Sequence, residues 1–255
     1  MTWQHDLLAG AFTSYSLDQL GQHLLSRTPL LFCTDDSAKG NKGSFSWTMG
    51  TNQDLLWGCY STAPGWFMNS FRSERAGQLT ILIFLKVYLD YHQLHDIPTP
   101  TPTFLIDSAP WLHIATNNEG LISRIQKGMA TKTVFTGAVL SPEYDLVHEI
   151  LSIIHHLLSH YAGSTSKDTK TNVRNGMNSP EWTPAIETLN ARADYHASSG
   201  LENIHQPMKI ILQIPSSQAS LVMHDITITS HYATHLQGRH PSRYTATFPE
   251  TLPVE

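Results

Sequence analysis

The chain has 255 residues and a formal charge of −5 at pH 7, from 16 basic and 21 acidic side chains with histidine neutral. Its 40% hydrophobic and 15% charged residues exclude a disordered chain, and the acidic balance argues against a dedicated nucleic-acid binder with a broad basic face. The longest apolar run, Leu79 to Leu89, is broken by Lys86 and falls short of the ~18 residues that span a membrane.

Residues 1–28 read as a helical extension in two pieces, "WQHDLLAGAF" and "SLDQLGQHLLSR", the second with Ser16 as its cap. No basic start and apolar core of a secretory signal is present, so the expected location is intracellular, cytoplasmic or nuclear. Three strands follow, "LLFCT" (31–34 and its approach), "GSFSWTMGT" (43–51) and "DLLWGCYST" (54–62), joined by short segments that suit hairpins. Asp35 and Asp36 fall where the first strand is expected to run into its turn. Cys33 and Cys59 lie on these strands without motif spacing and are expected to be reduced core thiols.

The stretch 70–94 reads as a long helix buried over much of its surface, with Ser70 able to cap it and Glu74 in its first turns. "HDIPTPTPT" is an extended connector, because alternating proline permits neither helix nor central strand. "FLIDS" and "LHIAT" are strand-like runs on either side of Pro110. "EGLISRIQKGM" is a short helix. "SPEYDLVHEILSIIHHLLSH" is a well-formed one, with Ser141 as cap, Pro142 at the first position and Glu143 behind it. Residues 163–184 are polar and breaker-rich, a loop, and "AIETLNARADYHASSGL" is a last helix. The C-terminal part suggests two strands, "MKIILQI" and "ASLVMHDITIT", and a helix, "HYATHLQ". Hairpin strands followed by helix–strand crossovers predict an α/β fold, a mixed sheet with helices on its faces. The expected organisation is an extension at 1–28, a central domain at 29–203 and a small β/α addition at 204–255.

In this order the acids form a pattern. Asp35 ends the first strand, Glu74 sits early in the long helix and Asp194 lies in the last helix. Carboxylates from separate elements that converge on one sheet end repel one another unless a cation lies between them. Hard oxygen donors suit Mg²⁺ or Mn²⁺, and a pair of such ions is the usual device for in-line phosphodiester hydrolysis.

The segments "TDDSAKGNKGSFSW", "SFRSERAG" and "LNARADYHAS", in that order, resemble the opening strands, first helix and final helix of the ribonuclease H family. "WQHDLLAG", "SFRSE", "PEYDLVHEI" and "SLVMHDITITS" resemble more narrowly the ribonuclease H segment of retrotransposon polyproteins. The resemblance spans about residues 28–200 for the fold and nearly the whole chain for the retroelement version. It implies a five-stranded mixed sheet, with Asp35, Glu74 and Asp194 as ligands of Mg²⁺ or Mn²⁺. It also implies cleavage of the RNA strand of an RNA–DNA hybrid, and a reverse transcriptase upstream in the same polyprotein.

The departures from the family pattern fall on the site. Aligned on "HIATNNEGLISRI", the third carboxylate position holds Asn117, a neutral amide that offers a cation only its carbonyl oxygen. A rival alignment on "FLIDS" puts Asp107 there. Ala162 and Ser164 stand where the family has a lysine and its mobile histidine, and Asp36 where it has glycine. The resemblance therefore implies an impaired site, and the alternative is a non-catalytic interaction module on the same fold.

The rival chemistries are weaker. His156 and His160 share a helix face, but no acid at zinc-protease spacing accompanies them and zinc needs a third ligand. Trp47, Trp57 and Trp66 read as packing residues before they read as stacking platforms. Lys127, Lys132, Lys167, Lys170 and Arg174 read as a solvated group.

Overall fold

The structure is a computed structural model that describes residues 3–13, 16–25, 30–51, 54–65, 68–94, 112–116, 118–130, 143–161, 183–203, 220–223, 226–228 and 245–247. In chain order the elements are α1 (Trp3–Leu8), β1 (Ala11–Thr13), α2 (Leu17–Leu25), β2 (Leu30–Lys39), β3 (Lys42–Gly50), β4 (Leu55–Thr62), α3 (Ser70–Leu94) and β5 (Leu112–Ala115). There follow α4 (Glu119–Ala130), α5 (Tyr144–Tyr161), α6 (Thr183–Glu202), β6 (Ser220–Met223), β7 (Ile226–Ile228) and β8 (Thr245–Thr247).

The main sheet has five strands in the order β1-β4-β3-β2-β5. Strands β2, β3 and β4 form an antiparallel meander, and β5 runs parallel to β2, so the sheet is mixed as the sequence implies. The β2–β3 hairpin turns on two residues, Gly40 and Asn41, and Gly40 has φ 64°, a conformation that costs glycine nothing. The meander therefore reaches further than expected: β2 continues to Lys39, and Asp35 and Asp36 lie inside it rather than in the turn.

Alternation along β2 and β3 sorts side chains between two helical layers. Phe32, Phe45, Trp47 and Met49 join the large core shared with α3 and α5, where Leu79, Ile81, Ile83 and Ile150 are also buried. Leu31 and Cys33 face α6 with Leu189. On that side the contact is close and polar: Ser44 Oγ donates to Ala197 O at 2.5 Å, and Thr48 Oγ1 donates to Leu189 O at 2.9 Å. Both cysteines are buried free thiols, pushed up to about 12 by burial, with the Asp35 charge adding to the rise at Cys33.

The N-terminal segment carries the two helices expected, but the first ends at Leu8, and Ala11 and Phe12, expected in that helix, are strand. Strand β1 pairs antiparallel with β4 at the sheet's edge, Phe12 opposite Gly58. The Phe12 ring lies where a Cβ on residue 58 would sit 2.3 Å from it, so any larger residue there has to displace the ring. Leu7 and Leu20 are buried in the main core. Ser16 caps α2 as expected, in a reciprocal box: Gln19 N donates to Ser16 Oγ at 3.2 Å, and Ser16 N donates to Gln19 Oε1 at 2.8 Å.

Helix α3 has the expected bounds but a different cap. Asn69 Oδ1, not Ser70, accepts from a first-turn amide, that of Arg72, at 2.8 Å. Helix α5 begins at Tyr144, after Glu143 with φ 51°; Ser141 and Pro142 lie outside the described residues. At the C-terminal end, "ASLVMHDITIT" is a hairpin of two short strands, and β8 completes a separate three-stranded sheet in the order β7-β6-β8. "MKIILQI" and "HYATHLQ" lie outside the described residues, as do "FLIDS" and residues 163–182 of the loop expected at 163–184, whose last two residues open α6 instead. Among the described residues no helix is long and apolar enough to cross a membrane.

Candidate carboxylate site

The site forms where β5 stops. Strand β5 pairs with β2 from Leu30 to Cys33, and no described strand pairs β2 on that side beyond Cys33. The next residues of β2 therefore lie along an open edge that side chains from both faces can reach. Asp35 points to the α6 side, where Asn190 Nδ2 donates to its Oδ2 at 3.4 Å. Asp36 points to the α3 side, where Ser70 Oγ donates to its Oδ1 at 3.0 Å. Glu74, one turn further along α3, is buried, and Asp194 sits exposed on α6, one turn beyond Asn190.

The structure brings Asp35, Glu74 and Asp194 into one electrostatic neighbourhood. Burial holds the Asp35 carboxyl above its ordinary range; the Asp36 amide lowers it, the Asp194 charge raises it and the Asn190 amide lowers it. Burial pushes Asp36 furthest, to about 7; Ser70 opposes the rise, and Glu74 and Asp35 add to it. Glu74 is raised chiefly by burial and held back by Thr116, whose Oγ1 donates to Glu74 Oε1, and by the Asn118 side chain; Asp35 raises it and Arg75 lowers it. Neighbouring negative charge thus adds to burial in opposing the ionisation of Asp35, Asp36 and Glu74.

Hard carboxylate oxygens of one sign are donors that suit a divalent cation. Convergence is less complete: among the described residues no three His, Cys, Asp or Glu side chains gather as the ligands of one metal ion. Glu74 is instead engaged by neutral donors. Thr116 also accepts from Asn118 N at 3.1 Å, and Asn118 caps α4 by accepting from Leu121 N at 2.9 Å. The α4 cap and the Glu74 carboxyl are therefore one connected network.

Asn117, Asp107, Ala162 and Ser164 lie outside the described residues. The described strand parallel to β2 is Leu112–Ala115, the strand on which the Asn117 alignment rests. His156 Nε2 lies 3.4 Å from Asp90 Oδ1, away from the carboxylates, and Trp47 is fully buried.

Sequence reasoning passed over several contributors. Asp36 entered as a residue of the turn and as a departure from glycine, yet strand alternation alone would have put it on the α3 face. Asn190 precedes Asp194 by four residues and so shares its helix face. Two arginines flank Glu74 in a helix with little exposed surface, and both are paired. Arg72 donates to Asp145 Oδ1 and Oδ2 at 3.1 and 2.8 Å and to Pro64 O. Arg75 donates to Glu143 Oε2 at 3.0 Å, and Asn69 Nδ2 donates to Glu143 Oε1 at 2.9 Å.

No protein-family model matches the chain, and no curated protein matches it. Two solved structures are similar at low level. The crystal structure of LC11-RNase H1 in complex with an RNA/DNA hybrid has 12% identity and a TM-score of 0.37, over 69% of this chain and 99% of that one. The structure of LC11-RNase H1 isolated from compost by a metagenomic approach has 15% identity and a TM-score of 0.37, over 70% of this chain and 99% of that one. Similarity at that level transfers neither residue roles nor chemistry. The architecture rests on the sheet itself, a β2-β3-β4 meander with β5 parallel to β2 and helices on both faces. It is the mixed five-stranded α/β sheet with flanking helices that the sequence resemblance implies.

Proposed function

We propose that this chain is a ribonuclease H-like domain of retroelement origin whose carboxylate site is built for Mg²⁺ or Mn²⁺ and acts on the RNA strand of an RNA–DNA hybrid. The observation that carries the reading is that the Asp194 charge raises the Asp35 carboxyl and the Asp35 charge raises those of Glu74 and Asp36, acids drawn from separate elements. Asp35, Glu74 and Asp194 would hold the metal. Bound there, a divalent cation supplies an activated water and charge stabilisation for the leaving oxygen. The residues themselves orient: Asn190 and the Asp36 amide fix Asp35, and Thr116 fixes Glu74. Hybrid selection would come from A-form shape, phosphates and 2′-hydroxyls rather than base sequence.

In this reading the activity is impaired. Asn117 contributes no charge at the third carboxylate position, Ala162 and Ser164 replace the mobile-histidine stretch, and Thr116 occupies an oxygen of Glu74. Loss of one charge-stabilising group costs ~10²–10³ in rate. The domain would lie at 29–203, inside the cell, next to a reverse transcriptase in the parent polyprotein. Cleavage of a labelled RNA–DNA hybrid with Mg²⁺ or Mn²⁺ tests it. The expected result is slow cleavage that Asn117→Asp raises and Asp35→Asn abolishes. A full-strength wild-type rate would overturn the impairment, and a rate indifferent to Asp35→Asn would overturn the site.

The engagement of Glu74 by Thr116 and Asn118 favours one second reading, a non-catalytic interaction module that keeps the fold. Hybrid binding undiminished by a chelator, with no cleavage under any metal, would select it.

A further inference from the structure

Helix α6 has two flanks, and the carboxylate site uses one of them. At 3.6 residues per turn, Leu189, Ala193, Ala197 and Gly200 form the strip buried on the sheet, and Asn190 and Asp194 lie on the flank toward β2. Arg192, Tyr195 and His196 lie on the opposite flank, toward β4 and β1. There four rings meet. His196 stacks on Tyr60 of β4, centroids 5.6 Å apart and planes 10° apart. Phe12 of β1 lies 4.6 Å from His196, and Tyr195 meets the same ring edge-on at 5.4 Å. The cluster is not core: Tyr195 is 67% exposed and Tyr60 39%. Burial and the Arg192 charge lower the His196 imidazole below its ordinary range, so the stacked ring is neutral at physiological pH.

Charge and position say what fits this shelf. Arg192 is exposed beside it and forms no ion pair among the described residues. Tyr60 stands in one cross-strand row with Ser46 and Asp35, two strand spacings or ~10 Å from the carboxylate edge. Flat, exposed rings beside an uncompensated guanidinium suit an unpaired polynucleotide, whose bases stack on aromatic faces while its phosphates meet the cation. A protein partner would equally cover the rings but would leave the arginine's charge without a dedicated function.

We infer that the shelf formed by Tyr60, Tyr195, His196 and Arg192 binds single-stranded nucleic acid through base stacking and one phosphate contact. The site is separate from the carboxylates and needs no metal, so it stands or falls independently of the nuclease reading. The probe is a fluorescein-labelled oligothymidylate, titrated with the full chain by anisotropy at low salt with a chelator present. The expected result is saturable binding that Tyr195→Ala weakens ~10-fold, from the loss of one stacked base, and that Tyr195→Phe retains. Arg192→Ala should weaken binding and flatten its salt dependence. Urea midpoints of the variants equal to wild type confirm that the fold is intact. Absence of wild-type binding overturns the inference, and so does binding indifferent to Tyr195→Ala. A Tyr195→Ala effect confined to self-association, read by sedimentation, overturns it in favour of a protein contact.

Discussion

Two clusters of charge share the first two turns of α3, and they are built on opposite rules. In one, Arg72 and Arg75 are buried against Asp145 and Glu143, sign against sign. In the other, Asp35, Asp36 and Glu74 are partly or wholly buried against one another, with neutral donors at Ser70, Asn190 and Thr116. A buried pair closes on itself and ties the start of α3 to the start of α5. A group of like charges stays open to a cation. Within about one helical turn the chain thus sets pairs of opposite charge beside a group of like charges. Glu143 belongs to the first kind despite φ 51°, an unusual conformation for a residue with a side chain, because Arg75 and Asn69 both hold it there.

The comparison predicts substitutions of opposite sign. Arg72→Met removes the guanidinium from Asp145 and Pro64 O, and should cost ~3–5 kcal/mol in urea unfolding, as for a buried pair broken from one side. A cost near zero would make the pair dispensable and erase the contrast. Asp36→Asn should act the other way. The folded Asp36 carboxyl is raised from 3.8 to about 7, so its contribution is fully present below pH ~4 and lost as pH rises to ~7. Asp35 and Glu74 shift in the same direction. The metal-free protein should therefore lose stability between pH ~4 and ~7, and Asp36→Asn should lose less and be the more stable protein at pH 8. Melting temperatures across that window check this, and a wild type that gains stability over it would contradict the account. The smallest effect belongs to Lys86 and Asp90, a solvated pair one turn apart at 2.5 Å. Asp90→Ala should change stability by no more than ~0.5 kcal/mol, the ordinary worth of an exposed pair.

The architecture was largely legible because its elements carry local signals. The bounds of α3, the meander and the Ser16 box follow from periodicity, turn residues and a capping pattern, each decided within a few residues. Element order and a family pattern put Asp35, Glu74 and Asp194 near one sheet edge; the structure sets the Asp194 charge near Asp35 and the Asp35 charge near Glu74, yet among the described residues no three acids gather as ligands of one metal ion. What escaped has long-range causes. Strand β1 is three residues long and exists because β4 offers an edge and Gly58 admits the Phe12 ring. Strand β2 runs through Asp35 and Asp36 because β3 pairs it to Lys39, which no propensity of "DDS" announces. Ser70 looked like a cap, and Asn69 took that place while Ser70 turned to Asp36. The Arg72–Asp145 and Arg75–Glu143 pairs join residues about seventy positions apart, a distance across which one sequence carries no pairing signal.

Mn²⁺ binding, followed by calorimetry at pH 8 on the wild type and on Asp35→Asn, is the most direct test. The carboxylate group should take up the ion, and Asp35→Asn should lose most of the affinity while keeping its fold. Equal binding by the two proteins, or none by the wild type, would mean that these acids merely tolerate one another.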